Sequence, residues 1–108
     1  MSEAERAAPI FAALGDTTRL ALVTKLAEGT PQSIAKLAAH IPHTRQAVSK
    51  HLRVLERAGL VSNIRVGRET HYALDPARVA EVTAYLAQVS HQWDEALARL
   101  RALVDGKG

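Results

Sequence analysis

Between Thr44 and Ala58, the polar side chains Gln46, Ser49, Lys50, Arg53 and Arg57 recur at i, i+3, i+4, i+7 and i+11. A helix would carry all of them on one face. Val48, Leu52 and Leu55 fall at i, i+4 and i+7 on the opposite side, with Ala47 and Val54 beside them. Such a helix can rest on a core with one side and reach a partner with the other. The exposed chemistry suits a nucleic-acid duplex. Gln can bond adenine in a bidentate way, and Arg or Lys can do so with guanine. Ser and Thr can donate to phosphates or bases. Thr44 and Arg45 stand at the N-terminal end, where partly positive backbone amides favour a phosphate. No carboxylate enters the face until Glu56, at its margin.

An ordinary amphipathic surface helix has the same periodicity, so the flanking chain decides. After Gly59 come Leu60 to Arg65, then Val66-Gly67-Arg68, then Glu69 to Leu74. β-branched and aromatic residues around a glycine turn read as a hairpin. Arg65 and Arg68 lie on either side of its turn. Arginine there can follow a phosphate backbone or enter a minor groove. It can also serve only to protect an exposed strand edge. The helix directly before the hairpin favours the first role. Tyr72 and Leu74 are expected to pack the hairpin onto the core.

The remaining elements must hold this unit in place. Glu3 to Leu14 carries Ala7, Ile10, Phe11 and Leu14 at helical spacing and ends at Gly15. Pro9 either starts the firm part of that helix or kinks it. Asp16 suits the N-cap of a second helix reaching about Glu28, with Leu20, Val23 and Leu26 inward and Leu22 alongside. Gly29 stops it. Thr30-Pro31 reads as a cap followed by proline at the first helical position, opening a third helix to about Ala39 with Ile34, Leu37 and Ala38 inward. His40-Ile41-Pro42-His43 cannot continue that helix, because a residue before proline avoids helical geometry. Thr44 can cap the next helix, and Gly59 suits the position just past its end.

Asp75-Pro76 repeats the cap-plus-proline signal. The helix that follows runs to about Val104, with Val79, Val82, Leu86, Val89, Trp93, Leu97, Leu100 and Val104 in a narrow, nearly heptad stripe. Gly106-Lys107-Gly108 reads as a frayed tail. The fold class is mainly α: a winged helix-turn-helix of about five helices and one β-hairpin.

The 108 residues fit a single domain spanning 1–108. Helices at about 3–14 and 76–104 serve dimerisation, and a DNA-reading unit occupies about 31–74. Hydrophobic residues make up 47 % of the chain but aromatics only 4 %, so Leu, Val, Ile and Ala must build the core, which favours helices. So short a chain buries a modest core, and a second copy would cover more apolar surface. The stripe on the last helix has no use in so small a monomer, and pairing across a two-fold axis would bury it. The candidate interface is Ile10, Phe11, Val82, Leu86, Val89, Trp93, Leu97 and Leu100.

The net charge is only +3, but it is concentrated. Arg45, Lys50, Arg53, Arg57, Arg65 and Arg68 face only Glu56 and Glu69 in the stretch from Arg45 to His71. A polyanion partner needs such clustering. The absence of cysteine excludes disulfides, thiolate metal sites and thiol redox sensing. No apolar run approaches a membrane span and no signal-peptide pattern opens the chain, so the expected location is cytoplasmic. Ser33, Ser49, Ser62 and Ser90 lack the glycine-elbow surroundings of a nucleophile, the five His form no spaced ligand set, and no glycine-rich phosphate loop exists. An enzyme is not expected, and no cofactor is called for.

Taken together, these residues resemble the ArsR/SmtB family of bacterial repressors. Ala13 to Leu20, ALGDTTRL, is similar to the family's opening stretch. Arg45 to Val61, RQAVSKHLRVLERAGLV, resembles its recognition helix and exit into the wing, and Gly67 to Leu74, GRETHYAL, its wing return. The resemblance covers roughly residues 10 to 90. It implies a dimer made by the first and last helices, recognition helices in successive major grooves of a palindromic operator, repression by promoter binding, and release by an effector that no residue here nominates. Metal-sensing members use cysteines, which this chain lacks, or His and carboxylates on the last helix, where His91, Asp94 and Glu95 stand. A zinc-responsive repressor using those residues is one alternative. A winged-helix module that binds protein is another, although it would have no need of Gln46, Ser49, Lys50, Arg53 and Arg68.

Overall fold

A computed structural model describes residues 1–106; the last two positions of the expected tail, Lys107 and Gly108, lie outside the described residues. The chain runs α1 (Glu3–Leu14), α2 (Thr17–Leu26), β1 (Gln32–Ser33), α3 (Ile34–Ala39), α4 (Arg45–Arg57), β2 (Val61–Val66), β3 (Glu69–Leu74) and α5 (Pro76–Val104). This is the mainly helical winged helix-turn-helix anticipated above.

The helix starts follow local chemistry. Ser2 caps α1 in a reciprocal box: its hydroxyl accepts from Glu5 N at 3.1 Å, and its own N–H donates to the Glu5 carboxylate at 3.2 Å. Helix α1 continues through Pro9. Asp16 caps α2 by accepting from Arg19 N at 3.0 Å. Thr44 caps α4 by accepting from Ala47 N at 3.1 Å. Asp75 caps α5, with Pro76 at its first turn. The exit from α4 is equally specific. Gly59 adopts φ +84, Gly59 N donates to Glu56 O at 2.9 Å and Leu60 N to Leu55 O at 3.1 Å. That paired closure needs a left-handed residue just past the helix, which glycine supplies without a steric penalty.

Two expectations are corrected. The third helix does not begin at Pro31, and Thr30 is not its cap. Gln32 and Ser33 instead form a short strand pairing with Tyr72 and His71, and Ser33 caps α3 by accepting from Lys36 N at 3.2 Å. The buried Gln32 side chain donates Nε2–H to Lys25 O at 3.0 Å, near the end of α2. The sheet order is therefore β1-β3-β2, antiparallel throughout. Within α2, Leu20 is 49 % exposed whereas Leu22 is fully buried. Leu22 and Leu26 lie four residues apart on the inner face, and Leu20 lies more than half a turn away from Leu22.

The core gathers Ile10, Ala13, Leu22, Leu26, Leu37, Val48, Leu52, Leu55, Leu60, Val61 and Tyr72. It lies beneath α4 and joins the helices to the base of the hairpin. Burial pushes the Tyr72 phenol above its ordinary pKa, and the charge of Glu56 adds to that direction.

Candidate nucleic-acid interface

Val48, Leu52 and Leu55 are completely buried and fix the rotation of α4 about its axis. The opposite face is thereby turned outward. Arg45, Gln46, Lys50, Arg53 and Arg57 are exposed, and Ser49 is half-buried at the edge of the same face. Thr44 is exposed at the helix start; its oxygen is engaged in the cap, and its hydroxyl proton is still available to donate. Glu56, at the margin of this face, accepts a hydrogen bond from Asn63 Nδ2 of β2. This turns its charge toward the hairpin and ties the helix to the wing.

The hairpin turns through Gly67 at φ +62, with Val66 opposite Glu69. Positive φ at the first of the two loop residues matches the turn to the strand twist. Arg68 occupies the other loop position and is exposed. Arg65 lies opposite Thr70 on β3 and is also exposed. By strand alternation Arg65 shares a face with Asn63 and Val61, the face that meets α4. Lys25, Arg78 and Arg99 approach carboxylates of Glu28, Glu81 and Glu95, but Arg45, Lys50, Arg53, Arg57, Arg65 and Arg68 form no ion pair with any described residue. These cations stand exposed on two adjoining elements, α4 and the hairpin, with their charge uncommitted, which suits a repeating anion.

The candidate pairing residues divide. Ile10 is 1 % exposed inside the chain's own core and has no surface to offer a partner, which corrects its expected place. Phe11 is half-buried against Tyr85 of α5, with ring centroids 6.2 Å apart. Val82 and Val89 are half-buried on α5. Leu86, Trp93, Leu97 and Leu100 are exposed, as are Leu103 and Val104 beyond them. The first turns of α5 lie against α1 and the rest projects, giving the molecule extents of 65 × 30 × 21 Å.

A helix-turn-helix domain family matches residues 14–62. An HTH-type transcriptional regulator of Mycobacterium tuberculosis is 40 % identical over 96 residues, covering 89 % of this chain and 86 % of that protein. The solved structure of an ArsR-like transcriptional regulator from Rhodococcus sp. RHA1 superposes with a TM-score of 0.74 at 36 % identity, covering 92 % of each chain. The chain belongs to the ArsR family. A further solved structure, the homodimeric winged helix-turn-helix DNA-binding domain of a possible ArsR-family regulator from Mycobacterium bovis, has a TM-score of 0.64 at 25 % identity, covering 88 % of this chain and 84 % of that one.

Within this ArsR-family chain, His91 Nε2 lies 2.7 Å from Glu95 Oε1, one turn along α5. Both side chains are solvated, and among the described residues no three His, Asp or Glu side chains converge on a metal-sized site. No helix of the described residues is long and apolar enough to cross a membrane. His40 is exposed at the end of α3, and His43 Nε2 lies 3.1 Å from Thr18 Oγ1 of α2.

One group escaped the reading of residues. His51 of α4 faces α2: its Nδ1 is 3.2 Å from Arg19 Nη1 and 3.8 Å from Asp16 Oδ2. The positions are 32 residues apart, and no periodicity could have linked them. Asp16 is held below the ordinary carboxylate range by the hydrogen bond from Arg19 N–H. Partial burial opposes that direction, and the charge of the Arg19 guanidinium reinforces it.

Proposed function

We propose that this ArsR-family regulator is a homodimeric repressor that binds a palindromic operator through α4 and its wing. The observation that carries the reading is the outward surface of Arg45, Lys50, Arg53, Arg57, Arg65 and Arg68, none paired with any described carboxylate, beside Gln46 and Ser49. Gln46, Ser49, Lys50 and Arg53 would read base edges in the major groove. Thr44 and Arg45 would engage a phosphate at the α4 N-terminus. Arg65 and Arg68 would follow the adjacent backbone or minor groove.

The second copy is supported by the exposed apolar stripe of α5. A row of Leu86, Trp93, Leu97 and Leu100 facing water is costly, and a symmetric partner removes it from solvent. Phe11, Val82 and Val89 would border that contact. Half-sites about 34–36 Å apart, one helical turn, follow from such a dimer. The protein would act in the cytoplasm, where its DNA lies, with no catalytic role.

A salt titration tests the reading. Fragments recovered from genomic DNA by the purified protein are bound at increasing salt. Each neutralised phosphate steepens the fall of log K with log salt by about 0.9. A steep slope is expected. Salt-insensitive binding, or recovery of no fragment, would refute it in favour of a protein partner.

A further inference from the structure

The corner between α1 and α2 grips the recognition helix through side chains of the first turn of α2. Arg19 is partly buried and bridges three elements. Its Nε–H donates to Ala13 O, in the last turn of α1, where helix carbonyls lack helical partners. Its Nη1 lies 3.2 Å from His51 Nδ1, in the middle of α4. A guanidinium has donors and no acceptor. The imidazole nitrogen must therefore accept, which leaves His51 neutral with its proton on Nε2. The alternative, a protonated His51 paired with Asp16, fits less well, because that separation is 3.8 Å and the proton would point toward Arg19. One residue earlier, Thr18 holds the turn before α4 through His43. The N-terminal turn of α2 thus contacts both the body of α4 and its approach.

We propose that Arg19 is a positioning residue for DNA reading: it sets the angle of α4 against α1 and α2 through His51, without touching DNA. The proposal rests on α4 being the reading helix. Leu52 and Val48 hold α4 on the core but are apolar contacts that permit small rocking; the directional bond from Arg19 opposes it. Lysine cannot replace this. A single ammonium cannot reach Ala13 O and His51 with the fixed fork of a guanidinium.

The test compares Arg19→Ala, Arg19→Lys, His51→Leu, His51→Asn and the Arg19→Ala/His51→Leu double variant. Binding is measured to a duplex recovered by the wild-type protein, and the side-chain ¹⁵N signals of His51 are read on the free protein. Arg19→Ala, Arg19→Lys and His51→Leu should each weaken binding by roughly tenfold, with an unchanged salt slope. The double variant should be no weaker than either single alanine or leucine variant. His51→Asn, which keeps an acceptor close to the Nδ1 position, should recover most of the affinity. In the free protein, Nδ1 should be unprotonated, and Arg19→Ala should move the proton toward Nδ1 and Asp16.

A salt slope lowered by about one in Arg19→Ala would make Arg19 a phosphate contact and overturn the proposal. So would additive losses, an Asn variant as weak as the Leu variant, or unchanged affinity in a folded variant. If Arg19→Ala does not fold, the His51→Leu and His51→Asn pair decides alone. If wild-type protein binds no duplex, the functional reading fails separately. The ¹⁵N signals and the α4 amide shifts then decide the coupling, which is refuted if both are unmoved by Arg19→Ala.

Discussion

Arg53 stands one turn beyond Ser49 and Lys50 on the exposed face of α4, with no carboxylate partner among the described residues. If it meets guanine through both guanidinium nitrogens, Arg53→Ala should cost about 1–3 kcal/mol of operator affinity and relax preference at one base position. A panel of single-base operator variants checks this. Affinity unchanged across the panel would place Arg53 away from the DNA. At this scale much of the site was legible, because Gln46, Ser49, Lys50, Arg53 and Arg57 declare themselves by type and spacing. Arg19 and His51 did not. A hydrogen bond between side chains on different helices leaves no periodic trace in the chain.

The elements owe their boundaries to short-range chemistry, and their pH response follows from it. The Asp16 carboxyl is held below its ordinary value of 3.8 by the bond from Arg19 N–H at the start of α2. A folded-state pKa below the unfolded one gives stability that is present above the unfolded value and lost as pH falls through the folded value. Asp16→Asn keeps a cap without the charge. The gap in melting temperature between wild type and this variant should therefore shrink as pH drops from about 6 toward 3. A gap constant over that range would show that the carboxylate charge contributes nothing. The same local logic made Thr44, Gly59, Gly67 and Asp75-Pro76 readable as caps and turns. It failed at Thr30-Pro31, which carries a valid helix-start signal. There the pairing of Gln32 with Tyr72, 40 residues away in the chain, outweighed the local preference.

For the molecule as a whole, α5 is the decisive feature. Its 29 residues span about 44 Å. The projecting half bears Trp93, Leu97 and Leu100, exposed with none of the described residues covering them. Leu97→Asp should give a monomer by light scattering, because a carboxylate placed in a symmetric apolar contact is buried twice. Loss of tight operator binding should accompany it, since two linked reading helices bind far better than one. A variant still dimeric would move the pairing surface elsewhere.

The chain by itself determined the order of the five helices and the hairpin, the rotation of α4 that separates its core face from its polar face, the glycine turns, and the clustering of positive charge. Each is set by neighbours within a few residues, where backbone geometry and spacing suffice. Only the tertiary structure decided which apolar residues were available. Ile10 and the stripe on α5 look alike along the chain, yet Ile10 lies closed in the monomer core while Leu97 and Leu100 remain open to water. Packing of α1 across α2, α4 and α5 makes that difference. The same packing brings Arg19 against His51, and it places the uncommitted cations of α4 beside those of the wing.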